Sequence, residues 1–483
     1  MAKDCREIDS TKFSYSDQRW FGEISGDVNP IHINPAGGTN VFFGQPVVHG
    51  LHLVLWSLDK FGCYCADWHH KDVIGGLQAQ FFKPVYLDEK IKLTFINSTQ
   101  DTITFDITKN NEQLCRIVIL RKGFSHTTLV TQNDVSRVRV TPSPKTWEIS
   151  EVENEKGVID FTQCSKNIGN RYPYLKQLLP DRVLDSLVAL STLVGMEIPG
   201  RNSLFSSFDI KFGIDNQSQG LHYRVKKVYR PSSKIVLEVR ASGLSGEVTA
   251  FFTPKPCVQS SYSQIQSLAG PNTFAGARVL VIGGSRGLGE VTAKIFAAGN
   301  ASVLVSYSQS EGSARRIVEE IREGGGIATM LETNVLDKSS IKGLKQSIVQ
   351  PPTHVFYFPT PKIFARRTAE FESDLFHHYC NYYVDGFYNV VDSLRGLTKE
   401  SMSYFYPSSI VIDQPHRDLK EYRLAKVSGE ALCKELACSI PNISITIERL
   451  PRLTTDQTQS LVAVPSEDPT PLLFKLYKKL YGL

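Results

Sequence analysis

Asp27 and His32 lie five residues apart in the run Ser25-Gly-Asp-Val-Asn-Pro-Ile-His32, and Pro46-Val-Val-His-Gly50 follows. The Asn29-Pro30 pair marks a helix end and a turn, because a residue before proline is pushed out of helical geometry. A carboxylate and an imidazole gathered by such a turn can hold one water and divide its proton transfers between them. Adding that water to a double bond beside a thioester, or removing it, also needs a donor for the thioester oxygen as charge builds there. Gly50 stands where an apolar helix over 50–61 is expected to begin. Its N–H has no partner within the helix and sits at the positive end of the helix dipole, which suits the role.

A second set is Ser409, Tyr422 and Lys426. The i, i+4 spacing puts Tyr422 and Lys426 on one helical face. An ammonium near the phenol is expected to stabilise the phenolate and lower its usual pKa of about 10. Tyr422 then protonates a carbonyl oxygen as the carbon receives a hydride, with Ser409 hydrogen-bonding that oxygen. Roughly 130 residues before Tyr422, Ile282-Gly-Gly-Ser-Arg-Gly-Leu-Gly289 follows an expected strand and opens an expected helix. In that context Gly283, Ser285, Arg286, Gly287, Leu288 and Gly289 form a loop whose backbone can approach a dinucleotide pyrophosphate at a helix N-terminus. Lys426 is also expected to reach the nicotinamide ribose. The next strand ends Ser306-Tyr-Ser-Gln309, which is expected to bring Ser306 against the cofactor, with no carboxylate before Glu311 to hold the ribose 2′-hydroxyl of NAD. Arg286 can instead pair with a 2′-phosphate, so the expected cofactor is NADP (NADPH).

These residues need elements to position them. Upstream, Leu51, Val54, Leu55, Leu58 and Phe61 recur at helical spacing and describe one buried helix, followed by strand-like segments over 76–82, 90–97, 102–109 and 114–122. A fainter copy follows: an apolar helix over 181–196 and strands over 203–212, 220–230, 234–241 and 248–252. Each reads as one helix wrapped by an antiparallel sheet. Residues 254–276 carry Pro, Gly, Ser and Gln in the manner of a linker. Beyond them, short apolar runs alternate with helical stretches, as βαβ units with a parallel sheet do. The expected domains are 1–149, a degenerate second half at 150–256, a linker at 257–275 and a nucleotide-binding domain at 276–483.

Bulk properties exclude several classes. The 483 residues are 41% hydrophobic and 21% charged, with a net charge of +5 from scattered Lys and Arg, so no nucleic-acid partner is expected. No stretch approaches the ~18 apolar residues that span a membrane, and Met-Ala-Lys-Asp-Cys-Arg-Glu does not open a signal peptide. Nine dispersed cysteines lack the paired spacing of a zinc site, so no metal is expected, and reduced thiols in the cytoplasm are.

The stretch from Phe21 to about Asp88 resembles the MaoC-like, (R)-specific enoyl-thioester hydratases. It shares the Gly-Asp-Val-Asn-Pro-Ile-His run, the Pro-Val-Val-His-Gly run at the matching distance, and Phe81-Phe-Lys-Pro-Val85 with Asp88. The resemblance implies a hot-dog fold, Asp27 and His32 as the catalytic pair and Gly50 as the oxyanion donor. Residues 276–460 resemble the short-chain dehydrogenase/reductases, most closely their 3-oxoacyl-thioester reductases. That implies a Rossmann-type doubly wound parallel sheet and catalytic roles for Ser409, Tyr422 and Lys426. The sequence departs from that family at four places: Phe358-Pro-Thr-Pro361 replaces its Asn-Asn-Ala-Gly, Tyr383 stands where an Asn is usual, Asn334 replaces an acidic residue touching adenine, and Arg452 replaces a Gly.

The expected whole is therefore multidomain, a double hot-dog (α+β) followed by a Rossmann-type α/β domain. Its expected function is NADPH-dependent reduction of a 3-oxoacyl thioester and reversible dehydration of the (R)-3-hydroxyacyl product to the trans-2-enoyl thioester. The alternatives are a ketoreductase whose hot-dog region only binds acyl groups, and a NADP-binding regulatory or scaffold protein. The expected partners are acyl-CoA or an acyl carrier protein thioester, and a second copy in a homodimer.

Overall fold

The computed structural model describes residues 6–33, 46–64, 74–121, 137–139, 143–160, 164–213, 219–255, 257–270, 272–363, 371–460 and 464–481. The chain divides into two compact units, Met1–Lys255 with Ser460–Ala463, and Pro256–Gln459 with Val464–Leu483.

The strands of the first unit are β1 (Arg6–Thr11), β2 (Gly76–Phe81), β3 (Ile91–Ser98), β4 (Thr102–Lys109), β5 (Glu112–Leu120), β6 (Arg137–Arg139), β7 (Lys156–Asp160), β8 (Ser203–Phe212), β9 (Leu221–Tyr229), β10 (Lys234–Ala241) and β11 (Leu244–Phe252). They form one sheet in the order β1-β3-β4-β5-β2-β8-β11-β10-β9-β7-β6. The order is a repeat read outward from its middle. β1-β3-β4-β5-β2 in one half corresponds to β7-β9-β10-β11-β8 in the other, and β2 meets β8 antiparallel, Gly76 opposite Lys211 and Gln80 opposite Ser207. Each half supplies one long helix to the shared core, Gly50–Tyr64 and Asp181–Thr192. Leu51, Val54, Leu55, Leu58 and Phe61 are all buried, as their spacing predicts. At about 2 kcal/mol for each large apolar side chain withdrawn from water, that stripe holds the first helix to its sheet. This is a double hot-dog.

Two expected boundaries move. Residues 137–139, assigned from sequence to the first half, form β6 and pair in parallel with β7. Trp147 Nε1 donates to the Glu197 carbonyl at 2.8 Å. The second half therefore gathers chain from well before residue 150. The stretch 257–275 is not a bare linker either. Tyr262–Leu268 is a helix whose N-cap Ser261 forms a capping box with Gln264, and it buries Tyr262 and Ile265 against the second unit. Its Ser/Gln composition reflects the capping box and an exposed face.

The second unit is built on β12 (Arg278–Ile282), β13 (Ser302–Tyr307), β14 (Ile327–Glu332), β15 (His354–Tyr357), β16 (Met402–Ser409) and β17 (Ile443–Leu450). All pairings are parallel, in the order β14-β13-β12-β15-β16-β17. Alternate residues of β12 enter two separate cores, Val279 and Val281 one, Leu280 and Ile282 the other. Both faces of the sheet are thus covered, which explains the unbroken apolar run that the sequence shows there. This is a Rossmann-type doubly wound sheet. Among the described residues no helix is long and apolar enough to cross a membrane, and the seven described cysteines are free thiols.

Candidate active sites

In the first unit the helix Tyr15–Ser25 ends at Gly26, whose φ of +76° is the left-handed C-cap that glycine adopts without strain. The chain then turns inward and places Asp27 in the interior, 2% exposed. Asn29 fixes this turn. Its side-chain Nδ2 donates to the carbonyls of Gly195 at 2.8 Å and Gly200 at 3.0 Å, and its Oδ1 accepts from the Ile31 N–H. Pro30 opens the short helix Pro30–Ile33, which carries His32.

His32 Nδ1 lies 2.7 Å from the Val47 carbonyl, so that nitrogen carries the proton and Nε2 is left as a base. Burial pulls His32 below its usual range and pushes Asp27 above its own, while each moderates the other's shift by charge. The two values converge, which lets the pair pass a proton to and from a shared water. Gly50 heads its helix beside them, and all three line one cavity of about 100 Å³. A Cβ on Gly50 would stand 2.8 Å from the tip of the Phe81 ring, so glycine lets that ring close over the helix start.

The second hot-dog half is part of this site, although its sequence carries no Asp/His pair. Ser191 Oγ donates to Asp27 Oδ2 at 2.6 Å. Gly195, in the π-helical turn Leu193–Glu197, leaves room for the carboxylate; a Cβ there would lie 2.2 Å from Asp27 Oδ1. Sequence reasoning missed both, because a serine and a glycine on an apolar helix some 160 residues away carry no spacing signal toward Asp27.

In the second unit the loop after β12 has the shape the glycines predict. Gly283 and Gly287 take φ of +76° and +56°. A Cβ on Gly289 would sit 2.2 Å from the Gly283 carbonyl, so only glycine allows the helix Gly287–Ala298 to pack this close to the strand. The loop and the N-terminus of that helix face a cavity of about 610 Å³. Gly283, Ser285, Arg286, Gly287, Leu288, Gly289, Asn334, Ser409, Tyr422 and Lys426 all line it. Ser306 does not. It is fully buried, with its hydroxyl accepting from the Gly283 N–H at 3.3 Å. Ser308, Gln309 and Ser310 line the cavity beyond it, and Glu311, the nearest carboxylate along the chain, pairs with Arg315. Arg286 is exposed and lies near Asp456, whose carboxyl it pulls down against the upward effect of burial. The room, the glycine approach and the helix N-terminus fit a dinucleotide.

Tyr422 differs from expectation in one respect. Burial dominates it and pushes the phenol up to about 12, while a hydrogen bond with Ser409 pulls the other way. Lys426 is not what sets the phenol's value. Its Nζ donates to the Pro407 carbonyl at 2.7 Å, lies 3.9 Å over the Tyr383 ring and 5.9 Å from that of Tyr422, and burial pulls it down to about 7. Tyr383, at the position usual for Asn, is fully buried in the π-helical turn Asn381–Gly386, and its hydroxyl lies 2.5 Å from Thr360 Oγ1. The two departures from the family pattern therefore meet in one contact.

The family model described as MaoC like domain matches residues 3–113, and that described as short chain dehydrogenase matches residues 277–355. The chain thus carries a MaoC-like domain at its N-terminal end and a short-chain dehydrogenase region in its second unit. It is 40% identical over 65 residues to a 3-oxoacyl-[acyl-carrier-protein] reductase of Synechocystis sp., 14% of this chain and 26% of that one. Over 75 residues it is 35% identical to an uncharacterized oxidoreductase of Methylorubrum extorquens, covering 16% and 30%. Over 81 residues it is 37% identical to elsinochrome reductase 1 of Elsinoe fawcettii, covering 17% and 30%. The chain spans under a third of the length of these relatives. Among solved structures it is similar to an alcohol dehydrogenase from the archaeon Thermococcus sibiricus complexed with 5-hydroxy-NADP, at 18% identity and a TM-score of 0.39, over 43% of this chain and 91% of that one. A short chain dehydrogenase from Burkholderia cenocepacia in complex with NADP aligns at 19% identity and 0.38, over 43% and 91%.

Proposed function

We propose that this protein is a bifunctional acyl-thioester enzyme. One site reduces a 3-oxoacyl thioester to its (R)-3-hydroxyacyl form, and the other removes water to give the trans-2-enoyl thioester, or runs in reverse. The observation that carries this reading is the presence, in one chain, of two acid–base sets at two cavities whose reactions share an intermediate. In the first unit Asp27 and His32 move the protons of one water, and the Gly50 N–H meets the thioester oxygen. In the second, Ser409 orients the substrate carbonyl and Tyr422 supplies its proton. A bound NADPH would supply the hydride, with Gly283, Gly287 and Gly289 allowing its phosphates close to the backbone and Lys426 reaching its ribose. The acyl carrier is coenzyme A or an acyl carrier protein. We place the enzyme, as a homodimer, in the reducing cytoplasm.

The test is one reaction of the purified protein with NADPH and a short 3-oxoacyl-CoA, its products identified by mass. Enoyl product with loss of NADPH supports both activities; 3-hydroxyacyl product alone supports the reductase, and the dehydratase is then tested directly with enoyl-CoA, where no hydration removes it. No consumption of NADPH with either carrier removes the reductase.

Two variants refine the sites. Ser191→Ala should slow hydration about tenfold while leaving reduction unchanged, because a hydrogen bond to a charged group is worth roughly 1.5–3 kcal/mol. Ser191 lowers the Asp27 value, so its loss should raise the acid limb of the hydration pH profile; an unmoved profile would mean that Ser191 only packs. Arg286→Ala should weaken NADP binding about ten- to a hundredfold and NAD binding little, read by titrating each nucleotide; equal losses would remove the 2′-phosphate argument.

A further inference from the structure

His49 has no part in the reading so far, yet it lies at the centre of the first site. It is fully buried, and its ring stacks on that of His32 with centroids 3.7 Å apart. Both ring nitrogens meet oxygens. Nδ1 is 2.8 Å from Gln18 Oε1, and Nε2 is 3.1 Å from the Asp27 backbone carbonyl and 3.9 Å from the carboxylate Oδ2 of the same residue.

The orientation of Gln18 is not a free choice. The same Oε1 accepts from the His49 backbone N–H at 3.0 Å, and a flipped amide would press its NH₂ against that donor. An amide or peptide oxygen can only accept, so the two contacts are both hydrogen bonds when both ring nitrogens carry a proton, as only the imidazolium's do. A neutral ring would instead turn a lone pair toward the Asp27 carbonyl and carboxylate. Nor does either nitrogen keep a lone pair for a metal ion, although Asp27, His32 and His49 bring their polar atoms within 4.8 Å of one another.

Burial, with the neighbouring His32 and His52, pulls His49 well below its usual range, and the hydrogen bond to the Asp27 carbonyl works against that pull. Around the ring stand Gln18 and Phe21 from the helix Tyr15–Ser25, Asp27 from the turn, His32 from the short helix and His52 on its own helix. His52 is held neutral by burial, with its Nε2 against the Tyr172 hydroxyl at 2.8 Å. Asp27 is the carboxylate within ion-pair distance, and a buried cation is tolerated only beside such a partner.

We propose that His49 is a buried imidazolium whose ion partner is the Asp27 carboxylate, and that it is a positioning residue of the hydration site. This rests on the reading of Asp27 and His32 as the hydrating pair. The charge holds Asp27 in its carboxylate form against burial. Through the stacked ring it also disfavours a second charge on His32, which leaves His32 Nε2 free to take a proton from water.

The test is nitrogen NMR of the full chain labelled at the histidine rings, at pH 8. Ordinary histidines, with values near 6.5, are neutral there, so a persisting imidazolium signal among the eleven histidines stands out. One such signal is expected, and it should revert to a neutral ring in Asp27→Asn. Absence of any imidazolium at pH 8, or its persistence in Asp27→Asn, overturns the proposal. His49→Gln should also raise the acid limb of the hydration pH profile by about one unit while leaving reduction intact; an unmoved limb counts against the ion pair. Failure of the hydration reading itself would appear separately, as unchanged hydration by Asp27→Asn, whatever the NMR signal does.

Discussion

Asp27→Asn should lower hydration of a trans-2-enoyl thioester by about a thousandfold and leave NADPH-dependent reduction unchanged. The substitution is nearly isosteric, and the amide oxygen can still accept from Ser191 Oγ or the Asn29 N–H, so the turn that Asn29 pins should survive. What is lost is a group that can take and return a proton, and general acid–base catalysis typically contributes 10²–10⁴-fold. The loss should fall on the turnover of bound substrate, because Asp27 is an interior group beside the water and not an anchor for the acyl carrier. Stopped formation of 3-hydroxyacyl thioester from the enoyl substrate reads the first activity, and NADPH absorbance with a 3-oxoacyl thioester reads the second. Hydration within tenfold of the parent would remove Asp27 from the chemistry. Loss of both activities together would show that the sites are not independent.

That site was partly legible because its core is local. Asp27, His32 and Gly50 come from one turn and the helix after it, so spacing along the chain carries their geometry. The groups that tune them do not. Ser191 reaches Asp27 from the second half, and Gln18 approaches His49 from the preceding helix; neither residue type is unusual where it stands. The fold shows the same division. The apolar stripe Leu51 to Phe61 and the β12 run Val279 to Ile282 announced buried elements, because burial on one face or two leaves a period in the sequence. β1, Arg-Glu-Ile-Asp-Ser-Thr, gives no such signal, since it is a polar strand that, among the described residues, stands at the sheet edge and pairs with β3 alone. The position of Ser306 at a strand end predicts it against the cofactor, and the structure does not put it there. Ser306 is still inside β13 and points under the Gly283 loop, while Ser308 to Ser310 follow the strand's last residue, Tyr307, where the chain turns along the cavity. The value of Tyr422 was misjudged for a related reason: the i, i+4 spacing gives proximity to Lys426, but only the structure shows how deeply the phenol is buried.

Burial of that phenol shapes the second large effect. Tyr422→Phe should lower reduction about a thousandfold while hydration and NADPH binding stay unchanged, since the ring is retained and only the proton donor goes. With its value pushed up to about 12, Tyr422 is protonated throughout the neutral range and ready to give a proton to a carbonyl oxygen that gains charge. The reverse oxidation needs the phenolate, so it should still be climbing about tenfold per pH unit at pH 10. Lys426, pulled down to about 7, is an ammonium below that pH and loses its charge as the pH rises through it. Reduction should therefore be fastest below about pH 7 and decline above it, opposite to oxidation. Initial rates in both directions across pH 6–10 measure this divergence. Parallel profiles would mean that the bound substrate or nucleotide resets the phenol. A Phe variant that kept its rate would move the proton donor to the Thr360–Tyr383 hydroxyl pair, which lines the same cavity and which Thr360→Val together with Tyr383→Phe would then silence.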